Sequence, residues 1–399
     1  MLLLNRHPDY RAPLHAVDGE TLGIAGADAI ERRLAHLPDH APTPMRSLPG
    51  LAAALGIGAL DVKDEGQRLG LGSFKALDGA YAVARLTLEA AQARLGRPLG
   101  DADLDAPEVR AVAGAMTFAC ATDGNHGRSV AQGARQVGAR AVIFVHGGVS
   151  DERVAAIARF GARMVRVEGS YDDSVVEAAR VAAEQGWTVV SDTSWDGYER
   201  IPGLVMQGYT AIVREALSQW PARPTHVFVQ AGVGGIAAAV AAHLWLALGD
   251  ERPIFTVVDP ARAACIVEAA RAGRAVRVAH GEPTVMAMLE CYEPSPLALR
   301  VLFRAADAFM TVEDDDAVAA MRTLARPPGG DPPIVAGESG GAGLAGLMAA
   351  LRDPEARHAL KLGPKSRVWL INTEGATDPG RYAELVGASP EAILARARP

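Results

Sequence analysis

From residue 117 to residue 260, short apolar runs and segments of helical period alternate without a break. "TFACAT", "RAVIFVH", "ARMVRVEG", "WTVVSDT", "THVFVQ" and "PIFTVVD" read as strands. "GRSVAQGARQVG", "SDERVAAIARFG", "YDDSVVEAARVAAEQG", "VMQGYTAIVREALSQW" and "GIAAAVAAHLWLAL" read as the helices between them. This alternation predicts an α/β protein of open, mostly parallel twisted sheets covered by helices. Ligands in such sheets bind beyond the carboxyl ends of strands. The loops after strands are therefore where function is to be sought.

The chain has 399 residues, and at about 100–200 residues per domain that predicts two domains. Upstream, "DAIERRLAHL" and "LPGLAAALGI" read as helices, residues 60–63 as a strand and 76–95 as a long helix. The polar, proline-containing stretch 97–111 reads as a surface link. Residues 227–249 are uncharged and long enough for a membrane helix, but Gln230, the glycines at 232, 234 and 235, and His243 divide them into strand, turn and helix. A net charge of −7 speaks against nucleic acid as a partner, because neutralising phosphates needs a basic surface. The apolar start Met1–Leu4 is too short for a signal peptide, and the three cysteines have no disulfide or zinc spacing. A cytoplasmic protein without membrane partners is expected.

Three loops carry chemistry. In "THVFVQAGVGGIAA", Gly232, Gly234 and Gly235 let backbone N–H groups approach an anion at a helix N-terminus. A phosphate site is expected there; a tight turn without ligand is the alternative. The same stretch fits the dinucleotide pattern, with Asp259 at a plausible distance for a ribose contact, so an NAD-dependent oxidoreductase is a rival reading. In "ATDGNHGRSVA", Thr122, Gly124 and Asn125 offer donors to a carboxylate or a ring oxygen, and Asp123 adds an acceptor. His126 reads either as a substrate contact or as a satisfied structural histidine. In "GSFKALDGAY", Ser73 reads as an N-cap and Lys75 sits in the first turn. The positive helix terminus disfavours a cation there and would lower the lysine's pKa, as a Schiff-base nucleophile needs. A solvated surface lysine is the alternative. A Schiff-base lysine, a phosphate cradle and an asparagine-bearing loop together are what pyridoxal phosphate requires.

The chain resembles the fold-type II pyridoxal-phosphate lyases, the group of the threonine and serine dehydratases with the tryptophan synthase β-like fold. Within that group it is most similar to the diaminopropionate ammonia-lyases. The resemblance runs from about residue 40 to 390, through "TPMRSLPGLA", "VKDEGQRLGLGSFKALDGAYA", "ATDGNHGRSVA", "SDTSWDGYERIPGLVMQGYT", "QAGVGG", "VMAMLECYEPSPLA", "VAGESGGAGL" and "NTEGATDPGRY". It implies a large phosphate-binding domain of residues 1–72 and 205–399 with a small domain, 73–204, inserted. It implies cofactor contacts from Phe74, Lys75, Asn125, Gly232, Val233, Gly234, Gly235, Glu338 and Thr373. Substrate contacts fall to Thr122, Gly124, His126 and Asp192, and catalysis to Lys75, Asp123 and Asp192. A homodimer acting on a small amino acid is expected. The sequence departs from the family pattern at Gly66, Gly72, Ser73, Asp78, Tyr292 and Asn372; Asp78 stands where glycine is usual, and Asn372 where a serine sits beside the pyridine nitrogen.

The expected reaction is α,β-elimination of ammonia from 2,3-diaminopropionate, giving pyruvate and ammonia. Lys75 would take the α-proton of an L-substrate. Asp123 would be a base on the opposite face for a D-substrate. Asp192 would hold the leaving amine as ammonium, as a carboxylate favours; a turn or capping aspartate is the alternative. A dehydratase of serine, threonine or 3-hydroxyaspartate remains open, as does a cofactor-binding protein without turnover. Cys265 and Cys291 occupy places where the resemblance implies a close approach of two cysteines, bridged or as thiols.

Overall fold

A computed structural model of the protein describes residues 1–395 except Asp39, Asp123 and Ser170, and the backbone alone of Asp172. The chain forms two units: Met1–Ile24, Ala41–Phe74 and Ile212–Pro399 make the first, Ala25–His40 and Lys75–Ala211 the second. Residues 25–40 and 205–211 thus lie in the second unit, where the sequence reading put them in the large domain. The physical reason is local packing. The helix Ile24–Ala35 buries Ala27, Ile30 and Leu34, Gly26 O accepts from Gln207 Nε2 at 3.1 Å, and Arg33 Nη2 donates to Gln136 Oε1 at 3.4 Å.

The first unit is built on a seven-stranded sheet in the order Leu2–Leu4, Ala308–Val312, Ile254–Pro260, His226–Gln230, Arg367–Asn372, Ala59–Asp64, Met45–Ser47. The five inner strands are parallel and the two edge strands antiparallel. Inner strands read as unbroken apolar runs because both faces are covered; all five residues of His226–Gln230 are buried. The helix Gly235–Leu248 is apolar all round and buried from Gly235 to Leu244, as a helix inside a core is. Among the described residues no helix is long and apolar enough to cross a membrane.

A buried ionic network fixes the segment that leads to Lys75. Lys63 Nζ donates to Glu215 Oε2 at 2.6 Å and to Thr43 O at 2.7 Å. Arg68 binds Glu65 at 2.7 and 2.8 Å and Glu215 at 2.6 and 2.8 Å. Beside Arg68, Leu69 adopts φ +47°, a left-handed conformation that a branched side chain takes only when its surroundings enforce it.

The second unit carries a four-stranded parallel sheet, ordered Arg163–Val167, Arg140–His146, Thr117–Ala121, Thr188–Val189. The helices Gly79–Leu95 and Asn125–Val137 meet closely, since a Cβ on Gly133 would lie 2.5 Å from Ala80 Cα. The expected surface link at 97–111 runs into a helix, Pro107–Ala115, that buries Val109, Val112 and Ala113. The i, i+3, i+4 spacing of those residues accounts for it, and Pro107 opens it at the first position.

Candidate functional site

Lys75 does not sit in the first turn of the long helix. It lies in a short 3₁₀ turn, Phe74–Leu77, and the α-helix starts at Gly79 with Asp78 as its N-cap. The Ser73 hydroxyl caps nothing: it is buried with no hydrogen-bond partner among the described residues. Asp78 takes the cap because its carboxylate accepts from Gly79 N.

The lysine's protonation is also the reverse of the sequence expectation. Lys75 Nζ lies 2.5 Å from Asp192 Oδ2, 3.4 Å from Asp78 Oδ2 and 3.1 Å from Tyr209 Oη. Burial works to remove its proton, but Asp192, Tyr209 and Asp78 outweigh burial and hold the amine well above the usual lysine range. The same contacts lower both carboxylates against the effect of their own burial, Asp192 through Lys75 and His126, Asp78 through His126 and Lys75. Carboxylate and imidazole atoms of Asp78, His126 and Asp192 lie within 4.8 Å of one another, and the Lys75 ammonium lies within 3.4 Å of both carboxylates.

His126 is buried, with Nδ1 3.1 Å from Asp78 Oδ2 and Nε2 2.9 Å from Val190 O. Both ring nitrogens are engaged inside the protein. Thr122 shapes its loop: Oγ1 accepts from Gly124 N at 3.1 Å and Gly127 N at 3.2 Å. Gly124 caps the helix that begins at Asn125, which is buried. Asp123, expected between them, lies outside the described residues. Asp192 follows the strand Thr188–Val189. Its loop is held by Tyr198, whose hydroxyl donates to Val189 O at 2.8 Å and accepts from Ser191 N at 3.2 Å. Trp195 stacks on Tyr198 with centroids 4.0 Å apart.

Sequence reasoning missed Tyr209 and assigned no role to Asp78. Tyr209 lies in the "MQGY" segment that the resemblance used, and nothing local to that helix marks its hydroxyl as a neighbour of Lys75.

In the first unit, Gly234 is the N-cap of the helix Gly235–Leu248, with φ +98°. A Cβ there would lie 2.9 Å from Ile266 Cδ1 and 3.1 Å from Ala298 Cβ, so only glycine fits. The first amides of that helix have no intrahelical acceptor and meet an anion favourably. Gln230 braces the turn: Nε2 donates toward Gly340 O and Thr373 Oγ1 at 2.8 Å and Ser339 O and Ile371 O at 3.1 Å. Thr373 O accepts from Phe74 N at 2.9 Å, and Glu338 is buried. Asn372 donates to Asp64 Oδ1 at 2.8 Å and Val335 O at 3.1 Å, while its Oδ1 is a buried acceptor without a partner among the described residues.

Asp259 is not available to a ribose. Its Oδ2 accepts from Ile266 N and Val267 N, both at 2.9 Å, at the start of the helix Cys265–Ala272. The dinucleotide reading loses its acidic partner there. Cys120, Cys265 and Cys291 are thiols, not bridged; Cys265 Sγ points to Gly232 O at 3.4 Å.

Comparison with known proteins matches residues 37–374 to the family described as pyridoxal-phosphate dependent enzyme. The diaminopropionate ammonia-lyase of Escherichia coli is 39% identical over 359 residues, 88% of this chain and 89% of that one. A solved structure of the Escherichia coli diaminopropionate ammonia-lyase in complex with an aminoacrylate–pyridoxal-phosphate azomethine intermediate superposes with a TM-score of 0.86 at 36% identity, covering 97% of this chain and 96% of that one. Maize serine racemase shares the fold, with a TM-score of 0.70 at 19% identity over 91% of this chain and 96% of that one.

Proposed function

The chain belongs to the pyridoxal-phosphate-dependent enzymes, in the family of the diaminopropionate ammonia-lyases, and from that premise we propose that it eliminates ammonia from 2,3-diaminopropionate, yielding pyruvate and a second ammonia after water enters. Pyridoxal phosphate is its cofactor. When bound, it draws electron density from the substrate's α-carbon and makes the α-proton acidic.

The residues present suit that group. The turn Gly232–Gly235 would hold the phosphate; it is a cradle that a side chain at Gly234 would fill, under a helix N-terminus that favours negative charge. Lys75 Nζ would hold the aldehyde carbon. Asn125, Phe74, Glu338 and Thr373 would hold the ring, and Val233 the turn between the glycines.

The chain's own groups then divide the work. Lys75, once its amine is released and neutral, takes the α-proton of an L-substrate. Asp123 serves the opposite face. Gly124 and its neighbouring N–H groups orient the substrate carboxylate, in a loop shaped by Thr122. Asp192 seats the ammonium on the β-carbon. The observation that carries this reading is the 2.5 Å contact between Asp192 and Lys75 Nζ: the carboxylate already holds a primary ammonium, the group that diaminopropionate carries on its β-carbon where serine carries a hydroxyl. A homodimer and a cytoplasmic location belong to the same proposal, on the strength of the family resemblance.

The test is pyruvate release by the purified protein from both enantiomers of diaminopropionate, serine, threonine and 3-hydroxyaspartate. Diaminopropionate should be the preferred substrate. Lys75→Ala should lose pyruvate release and the visible absorbance of the bound cofactor while keeping the wild-type circular dichroism. Release from the hydroxy amino acids alone would overturn the proposal in favour of a dehydratase.

A further inference from the structure

The helix Cys265–Ala272 begins without a cap of its own. Its N-cap residue is Ala264, which has no side-chain acceptor, although the amides of the second and third helical positions need one. Asp259 supplies it from the strand Ile254–Pro260, where its Oδ2 accepts from Ile266 N and Val267 N at 2.9 Å. Asp259 is 1% exposed, and its Oδ1 has no partner among the described residues. Burial pushes the carboxyl well above its usual range, more than the two amides lower it. A carbonyl oxygen accepts from an amide whether or not the acid is ionised, so the cap does not depend on charge.

That helix start lies against the glycine turn. Cys265 Sγ donates toward Gly232 O at 3.4 Å, and Ile266 Cδ1 lies 2.9 Å from where a Cβ on Gly234 would stand. The residue before Asp259 holds the entrance of the turn, with Ala231 N donating to Val258 O at 2.9 Å. The next carbonyls of the turn are taken as well, Val233 O by Ser295 N and Gly234 O by Ala238 N, both at 2.9 Å. Among the described hydrogen bonds, none is donated by the amides of Gly232, Val233, Gly234 or Gly235. A turn whose carbonyls are engaged and whose amides are unspent is suited to an anion.

Asp259 therefore acts on the turn through two side chains that are not its own. Without its carboxyl, the amides of Ile266 and Val267 are buried donors lacking an acceptor, and the start of the helix must shift to satisfy them. Cys265 and Ile266 shift with it, and Gly232 and Gly234 lose their backing. We propose that Asp259 is a positioning residue of the phosphate turn, holding Cys265 and Ile266 against Gly232 and Gly234 so that the turn keeps the conformation that offers its amides to the cofactor phosphate. The inference rests on the reading that this turn holds the phosphate. It gives the buried acid that spacing marked as a ribose contact a part in binding a different ligand.

The test compares pyridoxal phosphate with pyridoxal, which has the same ring and aldehyde but no phosphate. Equilibrium dialysis against the cofactor-free full-length protein gives a dissociation constant for each, and their ratio is the weight of the phosphate. Wild type should favour pyridoxal phosphate strongly. Asp259→Ala should lower that ratio roughly tenfold to a hundredfold, the weight of one hydrogen bond to a charged group, and leave the constant for pyridoxal unchanged. Aspartate and asparagine cap helices about equally, so Asp259→Asn should hold the ratio within about twofold. A merely structural role would weaken both compounds together. Equal losses for the two, an unchanged ratio in Asp259→Ala, or an Asp259→Asn as impaired as Asp259→Ala overturns the proposal. Ile266→Val removes only the methyl nearest Gly234 and serves if Asp259→Ala does not fold; its ratio should fall severalfold, and an unchanged ratio overturns the proposal too. If wild type binds both compounds alike, the turn is not the phosphate site and both readings fall. A wild type that prefers the phosphate, with variants that keep the preference, sinks this inference alone.

Discussion

Lys75 Nζ and Asp192 Oδ2 are 2.5 Å apart, and their side chains keep 19% and 21% of their surface exposed. The pair is thus the open side of a cluster whose other members, Asp78 and His126, are enclosed. Any amino group brought to Asp192 meets a carboxylate already held below its usual range by Lys75 and His126, against its own burial.

Asp192→Asn should therefore impair diaminopropionate far more than serine. The amide keeps shape and hydrogen bonding but removes the charge. A charge-assisted hydrogen bond is worth roughly 1.5–3 kcal/mol, about ten- to a hundredfold in kcat/KM. The loss of the Lys75 contact is common to both substrates, so the ratio of the two losses isolates the substrate's ammonium. Equal losses would reduce Asp192 to a loop residue.

Asp123→Asn should reduce turnover of D-diaminopropionate more than that of the L-enantiomer. One lysine serves one face of the substrate, and the other face needs a second base. Enantiomer-resolved kcat values check it; equal effects would make Asp123 an orienting group.

Gly234→Ala should weaken cofactor retention. Its φ of +98° excludes an L side chain, and the new methyl would press on Ile266 and Ala298. A left-handed non-glycine residue costs about 1–3 kcal/mol, and relaxing the turn draws amides away from the phosphate. The readouts are the dissociation constant for pyridoxal phosphate and the thermal midpoint of the cofactor-free protein.

Glu215→Gln should destabilise the fold by about 3–5 kcal/mol, because it leaves Lys63 and Arg68 buried against Glu65 alone. Burial raises the Glu215 pKa, but Arg68 and Lys63 more than undo this and hold it below its ordinary value of 4.5. A depressed folded-state pKa gives stability that is complete above the unfolded value and is lost as pH falls through the folded one. Wild type should lose more stability than Glu215→Gln between pH 7 and acid. Urea unfolding at a series of pH values measures both.

How far the sequence could be read follows the range of the forces involved. The alternation of strands and helices, the glycine turn before Gly235 and the strand–turn–helix division of residues 227–249 depend on a residue and its near neighbours. They were legible for that reason. The helix Pro107–Ala115 was overlooked because its charged and proline-rich flank hid a short apolar stripe. Asp259 looked like a ribose ligand because spacing reports where a residue stands and not that its carboxylate is buried, with Oδ2 on the amides of Ile266 and Val267.

The lysine shows the division most clearly. The sequence by itself singled out Lys75 and the residues around it, and implied that a helix terminus would lower its pKa. Only the tertiary structure decided its charge. Asp192 and Tyr209, which set that charge, are 117 and 134 residues away along the chain, and His126, which holds Asp78 in place, is 48 away. Coulomb energy depends on separation in space, and in a buried site a carboxylate at hydrogen-bonding distance outweighs the partial charge of a helix end. The order of residues names the groups; the fold decides which of them share a proton.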